Sequence, residues 1–167
     1  MREEIKPNIN VVRELYPIVK KKILEFTDFW DNNPNEAENR HKEVEKELQE
    51  LTGKDMSKYD LWEYWEADGV ENLAFRISLP EPIRILDFKK EELKTILTKI
   101  KTFEEPTEYE NDEILMINWA NEGDFYRNLL KKNFENYNHK YFNSQKDKNG
   151  NYFEYSIDEV VEILWNR

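Results

Sequence analysis

Apolar residues at Val12, Leu15, Val19, Ile23, Phe26 and Trp30 recur every three or four positions, with Arg13, Glu14, Lys20, Lys21, Lys22 and Glu25 between them. That spacing places the apolar side chains on one stripe of a helix and the charges on the other, so it predicts an amphipathic helix facing a core. Pro17 falls inside the stripe and is expected to kink the helix or divide it after its first turn, because proline lacks a backbone donor and its ring crowds the preceding turn. Asn33-Pro34-Asn35 reads as a break. A second helix follows to Thr52, with Val44, Leu48 and Leu51 as its stripe and Gly53 as its stop.

Asp60 to Asp68 predicts a short helix ended by Gly69. The next segment supports two readings. Leu73, Phe75, Ile77 and Leu79 alternate as in a strand, while Val70, Ala74 and Ile77 fit a helical face; Pro80 and Pro82 end it either way. Asp87 is placed to cap a helix with Leu93, Ile96, Leu97 and Ile100 on one side. Glu104 to Asp112 reads as a polar connection. Ile114 to Trp119 is a short apolar run, strand or helix by period, and the capping chemistry of Asn111 and Asp112 favours helix.

Gly123 is expected to end that helix, and Asp124 to cap another with Tyr126, Leu130, Phe134, Tyr137 and Tyr141 along one face. Residues 141–145 and 151–155 flank an Asn149-Gly150 turn and predict a hairpin. Ser156 and Glu159 form a capping box for a last helix with Ile157, Val160, Val161 and Leu164. The expected architecture is α+β: a mainly helical single domain, residues 1–167, with a small β-hairpin near the carboxyl end.

Composition changes this picture in one respect. Charged residues make up 37% of the chain, against roughly 25% in an ordinary globular protein, a value that approaches disordered segments. Five Trp, nine Tyr and nine Phe, spread along the length, supply the bulky apolar surface such segments lack. There is no cysteine, so no disulfide or thiolate chemistry is available. The amino terminus has no apolar core of the kind a secretory signal needs, and no apolar run spans a bilayer. The expected location is the cytoplasm, without membrane contact.

The charge is segregated. Residues 59–75 and 104–126 contain thirteen of the 36 acids and no Lys or Arg; removing them leaves 23 acids against 25 bases, so these two blocks carry the whole excess of the net −11. A field of that kind steers a cationic partner and disfavours nucleic acid, whose binding depends on Lys and Arg. Residues 127–148 run the other way, with Arg127, Lys131, Lys132, Lys140, Lys146 and Lys148 against Glu135 and Asp147. They are expected to dock on the chain's own acidic blocks.

Catalytic chemistry finds little purchase. The four glycines are too far apart to cradle a phosphate, and no serine lies in a nucleophile elbow. Glu38 and His41 have the E-x-x-H spacing of carboxylate-bridged metal sites but no partner motif, so both are read as solvated. Asp147 to Gly150 lacks the acids of a calcium loop and is read as the hairpin turn. No catalytic, metal or cofactor site is assigned.

The functional expectation is therefore a non-catalytic acidic protein that occludes a basic partner, an immunity protein or antitoxin acting on a nuclease-type toxin. Aromatic residues among carboxylates are the interface chemistry that selects Lys and Arg. In the first block, Asp60, Trp62, Glu63, Tyr64, Glu66, Asp68 and Glu71 are assigned to the contact surface. In the second, Glu108, Glu110, Asp112 and Glu113 are assigned to it. Two alternatives stand beside this one: a nucleic-acid mimic inhibiting a defence nuclease, which requires carboxylates spaced like phosphates along a face, and a small acid–base hydrolase using Glu63 and Glu66.

Overall fold

The structure is a computed structural model that describes residues 1–67, 69–102 and 112–166. Among these residues, seven α-helices and one two-stranded antiparallel hairpin give the mainly helical α+β class. The helices are α1 (Ile9–Asn32), α2 (Ala37–Thr52), α3 (Tyr64–Ala67), α4 (Gly69–Ser78), α5 (Lys90–Lys101), α6 (Glu113–Asn133) and α7 (Ile157–Trp165). Short 3-10 turns cover Glu3–Ile5, Met56–Lys58 and His139–Phe142. The described residues gather into two compact units, the first drawn from Asn8–Pro80 and Asn111–Asn118, the second from Met1–Pro7, Glu81–Glu110 and Trp119–Arg167.

In the first unit, α1 buries Val12, Tyr16, Val19, Ile23 and Phe26 and packs chiefly on α4. Tyr16 takes the core place expected of Leu15, which is half-buried. Pro17 does not divide α1, which runs unbroken through it. The missing N–H and the ring crowding cost about 3 kcal/mol, but each core side chain of the stripe stabilises by about 1.5–3 kcal/mol, and Pro17 itself is exposed, off the buried stripe.

Helix α2 ends as its sequence predicts. Gly53 adopts φ 71°, the left-handed conformation of a helix stop, and its N–H bonds to the carbonyl of Gln49. Residues 69–78 are helix, not strand: Leu73, Ala74, Phe75, Ile77 and Ser78 are all buried, so an enclosed helix produced the alternating apolar signal. Lys54 is buried as well, and its ammonium donates to the Arg76 carbonyl (2.6 Å) in the last turn of α4, where a cation is favoured by the helix dipole.

In the second unit α5 packs on α7, with Leu93, Ile96, Leu97, Val160, Val161 and Leu164 buried. Asp87 does not cap α5. Its carboxylate accepts from Arg2 (3.0 and 3.1 Å), and Glu92 instead accepts the Lys89 N–H (3.0 Å) at the start of the helix while also binding Arg2 (2.7 Å). The Arg2 guanidinium holds both carboxyls below their usual range. Ser156 and Glu159 form the predicted capping box of α7.

Helix α6 differs most from expectation. It starts after Asp112, whose carboxylate accepts the Leu115 N–H (3.2 Å), but it runs past Gly123 to Asn133 as one helix. Asp124 therefore caps nothing and pairs with Arg127 one turn on (2.9 Å). Phe125, Tyr126, Leu129 and Leu130 are buried just after Gly123, and their burial outweighs the roughly 1 kcal/mol that a mid-helix glycine costs. The hairpin is shorter than predicted, with Gln145 opposite Phe153 and Lys146 opposite Tyr152. Asp147 organises its turn, accepting the N–H groups of Asn149 and Asn151 (both 2.8 Å).

Candidate protein-interaction surface

The segment from Asp60 to Glu66 belongs to the first unit and is shaped by its own side chains. Asp60 Oδ1 accepts the backbone N–H groups of Trp62 (2.8 Å) and Glu63 (3.0 Å), an Asx turn that takes the place of a first helical turn, so α3 begins only at Tyr64. Leu61 is buried and anchors the turn. Tyr64 is also buried, its hydroxyl 3.0 Å from Thr27 Oγ1 of α1. It supports this surface from below and does not reach solvent contact.

Trp62 turns onto α1 and α2. Its ring stacks on His41 (4.7 Å, 21°) and meets Trp30 (4.5 Å, 88°) and Phe26 (5.2 Å, 78°) edge to face. These are the preferred arrangements of aromatic pairs, each adding about 0.5–1.5 kcal/mol beyond area burial. Trp65 is less enclosed than Trp62. Its ring is 5.9 Å from Trp30 yet the residue is 51% exposed, and Glu63 and Glu66 beside it in sequence are exposed too. The segment thus alternates inward anchors with an outward indole among carboxylates.

His41 is not the solvated residue its sequence suggested. It lies between Trp62 and Phe26 with Nδ1 3.6 Å from Glu45, whereas Glu38 faces away and pairs with Lys42 (2.8 Å). Trp30 and His41, unassigned in the sequence reading, are therefore part of this cluster. The signal for Trp30 is its place at the end of the α1 stripe, one turn beyond Phe26; His41 stands out in the sequence only through its E-x-x-H spacing with Glu38, which does not point to this cluster. No group of three metal-ligating side chains occurs among the described residues.

The acidic blocks separate into neutralised and free members. Glu71 pairs with Lys20 (3.0 Å), Asp112 with Arg13 (2.5 Å), Glu113 with Lys20 (3.3 Å), Glu122 with Lys99 (3.0 Å) and Asp124 with Arg127 (2.9 Å). Lys20 thereby joins one carboxylate from each block, and Tyr16 donates its hydroxyl to the same Glu113 oxygen (3.0 Å). Hydrogen bonding to Lys20 holds the Glu71 carboxyl below its usual range, and Arg13 does the same for Asp112. Burial alone would lower the Lys20 ammonium, but Glu71, Tyr16 and Glu113 together raise it.

Asp60, Glu63 and Glu66 have no such cation among the described residues. Among the described residues they form no ion pair, and the same holds for Asp28 and Asp31 on the last turns of α1 around Trp30. The assigned residues Asp68, Glu108 and Glu110 lie outside the described residues, as does the whole stretch from Glu104 to Asn111. Among the described residues, the acids of the two blocks that form no ion pair are Asp60, Glu63 and Glu66, all on one segment. Of the bases in residues 127–148, Arg127 alone is in an ion pair among the described residues, and its partner Asp124 is on its own helix. Among the described residues, no helix is long and apolar enough to cross a membrane.

The chain gives no match to protein-family models, to curated proteins or to solved structures.

Proposed function

We propose that this chain is a non-catalytic binding protein that covers a basic protein partner, acting as a cytoplasmic immunity protein or antitoxin against a nuclease-type toxin. The observation that supports it is Trp65: a large indole left 51% exposed, backed by the packed Trp30–Trp62–His41 cluster and neighboured in sequence by carboxylates that form no ion pair among the described residues. Rigid aromatic anchors supply contact area at low entropic cost, and tryptophan is among the residue types that dominate interface energetics. Free carboxylates around such an anchor favour Lys or Arg on the partner and exclude acidic surfaces. A nuclease's substrate groove is cationic, so an acidic cover binds where nucleic acid would.

Isothermal titration against the product of the adjacent gene, at two salt concentrations, tests this reading. A complex that weakens as salt rises, and that Trp65→Ala weakens by at least about tenfold at unchanged fold stability, is expected. No binding, or binding indifferent to salt, would reject it.

A further inference from the structure

We infer that the group this surface takes from its partner is an arginine side chain, its guanidinium laid on Trp65 and bonded by the carboxylates of Glu63 and Glu66. The inference rests on the binding role proposed above and narrows it to one side chain. Three features carry it. Trp65 stays 51% exposed although Trp30 and Tyr64 lie against its ring (5.9 and 5.4 Å), while the rest of the aromatic cluster is more enclosed: Trp62 by His41, Phe26 and Trp30, and Tyr64 by Trp65 and Thr27. An exposed indole on a segment that also carries unpaired carboxylates favours a cation, because the negative face of the ring and the carboxylates attract the same charge.

The second feature is that the cluster forms no cage. The centroids of Trp30 and Trp65 are 5.9 Å apart at 38°. A cation inserted between two rings needs van der Waals contact of about 3.5 Å on each side, or about 7 Å in all, so the pair leaves no slot for an ammonium group. A ligand must therefore lie against a single exposed ring, and a flat ion makes more contact there than a compact one. Guanidinium is planar, is more weakly hydrated than ammonium and stacks on aromatic faces.

The third feature is the carboxylate pair. Glu63 and Glu66 flank Trp65 in sequence, and the Glu66 N–H bonds the Glu63 carbonyl (3.0 Å), closing a turn that sets the two residues one helical step apart. Both are exposed and form no ion pair among the described residues. A guanidinium's fork of five donors can meet two such acceptors at once, whereas an ammonium meets them only as a point charge.

The test is nuclear magnetic resonance titration of the whole chain, followed at the tryptophan indole N–H resonances. The probes are three acetylated, amidated tripeptides, Gly-Arg-Gly, Gly-Lys-Gly and Gly-citrulline-Gly. The arginine probe is expected to shift the Trp65 resonance with a dissociation constant about tenfold below that of the lysine probe, citrulline to give no shift, and Glu63→Gln/Glu66→Gln to weaken the arginine response by about tenfold. Equal responses to arginine and lysine overturn the arginine assignment and leave the cation-binding role standing. Shifts confined to other tryptophans overturn the site. Absence of any response to either cation overturns both.

Discussion

Lys20 shows how a single residue decides what the acidic blocks can do. Its ammonium holds Glu71 and Glu113, one from each block, so both carboxylates are paired within the first unit. The Glu71 carboxyl is held below its usual value by Lys20. Its contribution to stability is therefore full above the unfolded value of about 4.3 and is lost as pH falls through the lower folded value. Lys20→Met is expected to cost about 0.5–1 kcal/mol near neutral pH, as partly exposed pairs do, and the gap to the unaltered chain should close as pH is lowered from about 5 to about 2. Urea midpoints measured across that range check this; a gap that stays constant would contradict it. Residue-level pairing of this kind is not legible in a sequence. Lys20 and Glu113 lie far apart along the chain, and only the fold brings them together.

At the scale of elements, two glycines make opposite predictions. Gly53 ends α2 at φ 71°, where a side chain is strained although nothing lies within 4 Å of its added Cβ. Gly53→Ala is expected to destabilise by about 1 kcal/mol from backbone strain. Gly123 is inside α6, and a Cβ there meets only the Arg127 guanidinium at 3.3 Å, the far end of a flexible side chain. Gly123→Ala is expected to stabilise by up to about 1 kcal/mol through helix propensity. Thermal unfolding of both variants tests the pair, and a loss at Gly123 equal to that at Gly53 would show that α6 needs its glycine. The same two residues show what the sequence makes readable. Stripes with clear caps, as in α2 and α7, announce their own limits because the signal is local. Gly123 and Asp87 carried equally good local signals, yet the burial of Phe125 and Tyr126 overrode the first and Arg2 captured the second. Helix α3 starts about one turn later than its sequence predicts because the Asp60 side chain replaces the backbone bonds of a helix start.

At the scale of the whole molecule, the formal charge of −11 overstates what a partner meets. The sequence locates the excess in two blocks but cannot separate acids bound by the chain's own cations from acids left free. Nor does it mark the two compact units, since each is assembled from separated stretches with no glycine- or serine-rich linker between them. What the structure adds to the charge pattern is that, among the described residues, Asp60, Glu63 and Glu66 form no ion pair, within a segment whose aromatic character is evident in the sequence. The account stands on that distinction between free and committed carboxylates. Its most direct test is to titrate the arginine tripeptide at physiological salt into two variants that each remove three acids from the blocks. One is Asp60→Asn/Glu63→Gln/Glu66→Gln; the other is Asp112→Asn/Glu122→Gln/Asp124→Asn, whose acids are paired internally. Both variants change the net charge equally, and exposed pairs of about 0–1 kcal/mol each leave the second folded. The prediction is loss of the Trp65 response in the first variant and its retention in the second; an equal loss in both would contradict the account, because bulk charge would then explain the binding.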